Sequence, residues 1–158
     1  MAKVLLGFMG SGKTTIARKL DPDFVDMDAV IEKRIGMSIA DFFKVKGEAA
    51  FRQVESEILA DLLKTDQVVS TGGGVVISSR NRDLLKQNPD NIYLKSDFET
   101  LYQRISADKD NQRPLFLKNS KEDLAAIFKE RQAWYEEVAS QVVDVSSLNP
   151  DEIIEELK

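Results

Sequence analysis

The sequence of 158 residues contains no cysteine and no histidine. The first absence excludes a disulfide framework, a thiolate zinc site and a thiol nucleophile, and it fits a chain at home in a reducing cytoplasm, the expected location. The second removes the commonest general base and metal ligand, and with it Ser-His-Asp triads and imidazole-based zinc chemistry. Any reaction therefore falls to Asp, Glu, Lys, Arg, hydroxyls, backbone dipoles or bound ions. Long apolar runs are missing too, since none approaches the ~18 residues of a membrane helix. The apolar stretch 4–9 is short and is interrupted by Gly7 and followed by Gly10, so neither a signal peptide nor a membrane partner is expected. Basic charge is not in surplus either. The 22 Lys and Arg are outnumbered by 27 Asp and Glu, a net charge of −5, which argues against nucleic acid as a partner while leaving room for a local basic cleft.

What is present is the composition of a globular chain, 42% hydrophobic and 31% charged. Its length suits one domain that buries roughly 70% of its unfolded-chain surface. No internal repeat, low-complexity tract or linker interrupts it. The run KVLLGF at 3–8 has strand length and the continuous hydrophobicity of a strand covered on both faces. A glycine-rich turn leads to a helix predicted at 13–20, which Asp21-Pro22 closes because the residue before proline avoids the helical region. Further strands are expected at 23–27, 67–70, 91–95 and 141–145. They alternate with helices at 29–34, 48–64, 81–86 and 121–139 and with a last helix opened by Asn149-Pro150-Asp151-Glu152. Ser38 with Asp41 predicts a cap for a short helix ending near Gly47, and Ser96 with Glu99 predicts another for a helix with the stripe Phe98, Leu101, Tyr102 and Ile105. The polar stretch 107–117 reads as a loop. This alternation predicts an α/β fold with a five-stranded parallel sheet flanked by helices.

Gly7-Phe8-Met9-Gly10-Ser11-Gly12-Lys13-Thr14 fits G-x-x-x-x-G-K-[ST] in full and lies between the first strand and the first helix, where its mechanism requires it. Glycines let backbone N–H groups curl around phosphate oxygens, and the helix aims its positive end at them. Lys13 then reaches the β- and γ-phosphates while the Thr14 hydroxyl ligates Mg²⁺. Such loops serve GTPases, motor ATPases and small-molecule kinases alike. At 94–97 the sequence LKSD stands where a guanine-reading N-K-x-D would need asparagine at Leu94, and the third strand runs into Ser70-Thr71-Gly72 without the acid typical of motor ATPases. Both of those classes lose ground.

The acceptor side is read from four places. Asp26 and Asp28 lie on one side of an extended segment at a strand exit, and in a parallel sheet that exit faces the crevice holding the phosphates. Asp26 suits Mg²⁺ through water and Asp28 suits an acceptor hydroxyl, which it would orient or deprotonate; capping of the next helix is an alternative explanation of Asp28. Arg52 and Glu55 share a helix face, as in a surface ion pair or in a binding site. Arg131 falls within the apolar stripe Leu124, Ile127, Trp134 and Val138, where a guanidinium is costly unless it meets an anion or a structural partner. Thr71-Gly72-Gly73-Gly74 is either a turn or a bare backbone platform for a ligand. Together, two arginines, an acid and a glycine platform suit a small polyol carrying a carboxylate.

The ordered set GFMGSGKTT (7–15), FVDMD (24–28), GEAAFRQVE (47–55), STGGG (70–74), RPLF (113–116) and RQAWY (131–135) resembles the shikimate kinase family over nearly the whole chain. That resemblance implies a small monomeric P-loop kinase of the nucleoside monophosphate kinase-like fold. It would comprise a core (1–28, 65–106 and 119–158), a substrate-binding segment (29–64) and a lid (107–118). It implies transfer of the γ-phosphoryl of ATP to the 3-hydroxyl of shikimate, on the route to chorismate and aromatic amino acids. Matched motif by motif, Gly10, Ser11, Gly12, Lys13, Thr14 and Thr15 would hold ATP, with Mg²⁺ on Thr14 assisted by Asp26. Asp28, Arg52, Gly73 and Arg131 would bind shikimate, Arg113 on the lid would neutralise transition-state charge, and Arg104 and Pro150 would flank adenine. Two departures stand out: RPLF replaces the more usual RPLL, and 13–26 is a few residues short, implying a trimmed first helix. The rival readings are another small-molecule P-loop kinase, for a sugar acid or a nucleoside monophosphate, and a nucleotide-binding regulatory module without catalysis.

Overall fold

A computed structural model of the protein describes residues 1–8, 11–107 and 119–157. Five strands form one sheet: β1 (Lys3–Leu6), β2 (Val25–Asp26), β3 (Val68–Ser70), β4 (Asn91–Lys95) and β5 (Gln141–Asp144). Their order is β2-β3-β1-β4-β5 and every pairing is parallel, as the alternation of elements predicts. The described helices are α1 (Lys13–Leu20), α2 (Met27–Ile35), α3 (Ile39–Lys46), α4 (Glu48–Leu63), α5 (Ser79–Lys86), α6 (Phe98–Ala107), α7 (Lys121–Val138) and α8 (Pro150–Glu156). At eight residues, α1 is as short as the sequence implies. The expected lid at 107–118 lies almost wholly outside the described residues. No described helix is long and apolar enough to cross a membrane.

Side chains alternate across the sheet with period two. Leu5, Val68, Ile92, Leu94 and Val143 meet Ile16 and Ala17 of α1 and Ile153 of α8. Val4, Leu6, Val69 and Tyr93 meet the other helices in the larger core. Helices thus cover both faces, which explains why β1 reads as a continuous apolar run rather than an alternating one. The chain crosses from β3 over β1 to β4, so the crevice at the carboxyl end of β1 is the topological switch point where ligands bind in such sheets.

Several boundaries differ from the sequence reading. The second strand stops at Asp26 and α2 begins at once, because the Asp26 carboxylate accepts the Asp28 N–H at 3.1 Å and caps the helix. The cap at 96–99 also shifts by one: Asp97 Oδ1 accepts from Thr100 N at 2.8 Å, whereas Ser96 is buried with its hydroxyl 3.3 Å from that of Ser146. On α7 the fully buried stripe is Leu124, Phe128, Tyr135 and Val138, while Ile127 and Trp134 pack only partly against it. The stripe is rotated because Tyr135 stacks on Tyr93 of β4, with ring centroids 5.0 Å apart. Trp134 instead lies under the Arg82 guanidinium, 4.7 Å from its ring centre. The predicted caps at Ser38 and Asn149 form as expected, the latter with its reciprocal Glu152 bond.

Candidate active site

The chain leaves β1 through Gly7 and Phe8. A β-carbon at Gly7 would fall 2.6 Å from Ser11 Oγ and 3.1 Å from the Leu94 carbonyl, so only glycine lets the loop fold back this tightly. Ser11 N donates to the Phe8 carbonyl at 3.2 Å, and Gly12, at φ +89°, turns the chain into α1. No side chain caps α1 and no acid stands in its first turn. Its positive end is left for an anion. Ser11 Oγ, buried and without a hydrogen-bond partner, marks the same place as built for a polar ligand. Lys13 Nζ donates to the Gly7 carbonyl at 2.6 Å and to the Phe8 carbonyl at 3.3 Å, and Thr14 and Thr15 are exposed beside it. Gly10 lies outside the described residues.

Across the crevice, Thr71 fixes the exit of β3: its hydroxyl donates to the Leu5 carbonyl at 2.7 Å. The Gly72–Gly74 turn that follows is crowded by functional side chains. A β-carbon at Gly72 would meet Asp28 Oδ1 at 2.7 Å, and one at Gly74 would meet Arg52 Nη2 at 3.0 Å. The bareness of this turn is what lets a carboxylate and a guanidinium lie against it. The Gly73 carbonyl accepts from the Tyr135 hydroxyl.

Arg52 and Glu55 are not a surface pair. The Glu55 side chain is 3% exposed and that of Arg52 17%. Arg52 Nη1 donates to Glu55 Oε1 at 2.9 Å, to Oε2 at 3.1 Å and to the Gly74 carbonyl at 3.0 Å, while its plane lies over Phe51. Burial pushes the Glu55 carboxyl above its ordinary range and the Arg52 charge opposes that. Arg131 is half-buried over the Phe8 ring, 5.6 Å from its centre. Burial, together with repulsion from Arg52, lowers its proton affinity, and Tyr135 acts the other way. Two guanidiniums held close enough to repel each other form a site that an anion would relieve.

Asp28 lies in the first turn of α2 rather than in extended chain, and it is Asp26, not Asp28, that serves as the cap. The Asp28 carboxyl is pushed up, first by burial and then by Asp26, against the pull of Lys13 and Arg52. The phosphate loop, Asp28 and the two arginines therefore share one crevice. Arg104 is exposed in the last turn of α6 and Pro150 opens α8 as its first residue. Arg113 lies outside the described residues.

The sequence model of the shikimate kinase family matches residues 9–158. The chain belongs to the shikimate kinase family. It is 52% identical over 156 residues to a shikimate kinase of Streptococcus gordonii, covering 98% of this chain and 97% of the relative. It is 53% identical over 161 residues to one of Streptococcus thermophilus, covering 100% and 99%. A solved shikimate kinase of Acinetobacter baumannii in complex with shikimate superposes with a TM-score of 0.88 at 32% identity, covering 99% of this chain and 89% of that one.

The donors present fit the Mg²⁺ ion that the phosphate-loop motif implies. Thr14 and Asp26 are both exposed and offer hard oxygen ligands, and among the described residues no group of three or more acidic, His or Cys side chains could hold an ion alone. An ion that completes its shell with phosphate oxygens and water suits that sparse set. The sequence reading missed Tyr135 and the burial of Glu55, and it left Gly72–Gly74 open between a turn and a ligand platform. The motif RQAWY contains Tyr135, but no periodicity distinguishes it from an ordinary core residue.

Proposed function

We propose that this protein transfers the γ-phosphoryl group of ATP to the 3-hydroxyl of shikimate, giving 3-phosphoshikimate and ADP, and that it does so as a cytoplasmic monomer. The observation that carries this reading is that Asp28 and Arg52 lie against one bare glycine turn, with Arg131 near enough to repel Arg52 and an uncapped phosphate loop beside them.

In this reading 29–64 grips the acceptor and 107–118 closes over the phosphates. The two guanidiniums take the shikimate carboxylate, and Gly73 lends backbone beside them. Asp28 accepts hydrogen bonds from the ring hydroxyls and takes the 3-hydroxyl proton as the new O–P bond forms and the bond to the ADP oxygen breaks. Its raised affinity for a proton matches that task. Backbone N–H groups from Gly10 to Thr15 and the α1 dipole hold the phosphates in line. Lys13 leaves the loop carbonyls for the β- and γ-oxygens, and Arg113 neutralises charge from the lid. Thr14 and Asp26 would hold Mg²⁺, which would supply positive charge to offset that of the phosphates. Arg104 and Pro150 flank the adenine. The test is ADP release from purified protein with ATP and Mg²⁺, with and without shikimate. Release that depends on shikimate, and not on other polyol acids or nucleoside monophosphates, supports the reading; equal rates with and without shikimate refute it.

A further inference from the structure

We infer that Asn81 is a positioning residue for the acceptor site, its side-chain amide fixing Glu55 and, through Glu55, the Arg52 guanidinium against the Gly72–Gly74 turn. The inference rests on the functional reading above and adds a residue on α5, an element that reading does not use.

Asn81 is fully buried in the first turn of α5. Its Nδ2 donates to Glu55 Oε1 at 2.9 Å and to the Val75 carbonyl at 2.9 Å, and its Oδ1 accepts from Ser56 Oγ at 2.6 Å. Both donors and the acceptor of the amide are thus used, and the orientation is fixed by the partners: a flipped amide would face two acceptors with its own oxygen. From Glu55 the network continues to Arg52 Nη1 and from there to the Gly74 carbonyl. The circuit begins on the carbonyl of Gly74 and ends on that of Val75, neighbouring residues of one turn. Arg52, Glu55 and Ser56 of α4 are thereby referenced to the glycine platform from two directions.

The circuit matters because Glu55 is a carboxylate out of water. Asp28 from α2 adds repulsion to the cost of burial, and Arg52 and Asn81 counter it. Arg52 in turn is held through Nη1, whereas its Nε has no hydrogen bond and lies 3.5 Å from a Glu48 oxygen, too exposed to anchor it firmly. Remove the amide and Glu55 loses the neutral donor that fixes its rotamer. Arg52 then has an anchor that moves. An apolar side chain cannot replace the amide, and a carboxylate would set like charges within hydrogen-bond distance.

The test is a double-mutant cycle on the full chain, read as steady-state ADP release. Asn81→Leu keeps the volume and removes the hydrogen bonds. It is expected to raise the shikimate KM by ~10-fold while the ATP KM stays within about twofold. In a Glu55→Gln background the same change is expected to add less than about twofold, because both variants break one chain of contacts. Should Asn81→Leu fail to fold, Asn81→Ser completes the cycle with the same expectation. Equal shifts in both KM values, or a full Asn81 effect persisting in the Glu55→Gln background, would overturn the inference. A wild-type enzyme indifferent to shikimate would instead overturn the functional reading.

Discussion

At the phosphate end, one contiguous stretch from Gly7 to Thr14 supplies nearly everything, and it does so with backbone: an uncapped helix start, a left-handed glycine and a single lysine. At the acceptor end the groups are side chains, brought by α2, α4 and α7 to the turn after β3, with Arg52 fixed by Glu55 and the Gly74 carbonyl and Tyr135 by the Gly73 carbonyl. The difference follows from what each end must bind. Phosphate oxygens are alike on every nucleotide, so oriented N–H dipoles suffice. Discriminating one polyol acid from another requires groups at fixed separations, and buried partners are what fix them.

Four substitutions press on this contrast. Lys13→Ala removes the one side-chain cation that the described phosphate loop contributes, and kcat is expected to fall by ~10³-fold with the shikimate KM nearly unchanged. A loss under tenfold in the same ADP-release assay would mean that backbone alone does the work at that end. Asp28→Asn is expected to lower kcat by ~10²-fold or more while stabilising the ligand-free protein. Because the fold raises the Asp28 pKa above its ordinary 3.8, ionisation opposes folding. That cost grows as pH rises through the unfolded and then the folded value, is complete above both, and vanishes below both. A gain in Tm of about 2–4 °C at pH 7, absent near pH 3, is the expected calorimetric result; a gain independent of pH would locate the effect elsewhere. Arg131→Ala should raise the shikimate KM by ~10- to 100-fold and leave the ATP KM within about twofold. Isothermal titration with shikimate checks this, and unchanged affinity removes Arg131 from the site. Gly72→Ala, whose methyl would press on Asp28, should raise the shikimate KM less than tenfold, since the atoms in the way are the end of the Asp28 side chain and not backbone.

The same contrast decides what the sequence discloses. The phosphate loop is legible because its parts are neighbours in the chain and their spacing is itself the mechanism. The alternation of strands and helices is legible for a similar reason, each element announcing its period locally. At the acceptor end Arg52 and Arg131 could be singled out as cations beside apolar stripes, yet the stripe on α7 was rotated by one position. Whether Tyr135 or Trp134 faces inward depends on Tyr93 of β4 and Arg82 of α5, both distant in sequence. The exchange of roles between Asp26 and Asp28 has a different origin. Either residue could begin a helix, and the pairing of Asp26 with Ser70 in the sheet settles which one is still extended when α2 starts. Asn81 gives no signal at all, since a polar residue in the first turn of a helix is ordinary until its partners are known.

The position of β1 bears on how the protein is made. The strand precedes both of its neighbours in the chain and lies in the middle of the sheet, those neighbours being residues 68–70 and 91–95. At translation rates of about 5–20 residues per second, the ribosome works on for about 5–20 s after β1 emerges before β4 can pair with it. Both edges of the apolar strand stay open until β3 emerges and one stays open until β4 does, which makes it a natural client for a holdase and a natural seed for aggregation. The phosphate loop is consequently translated well before both strands that flank its own are available.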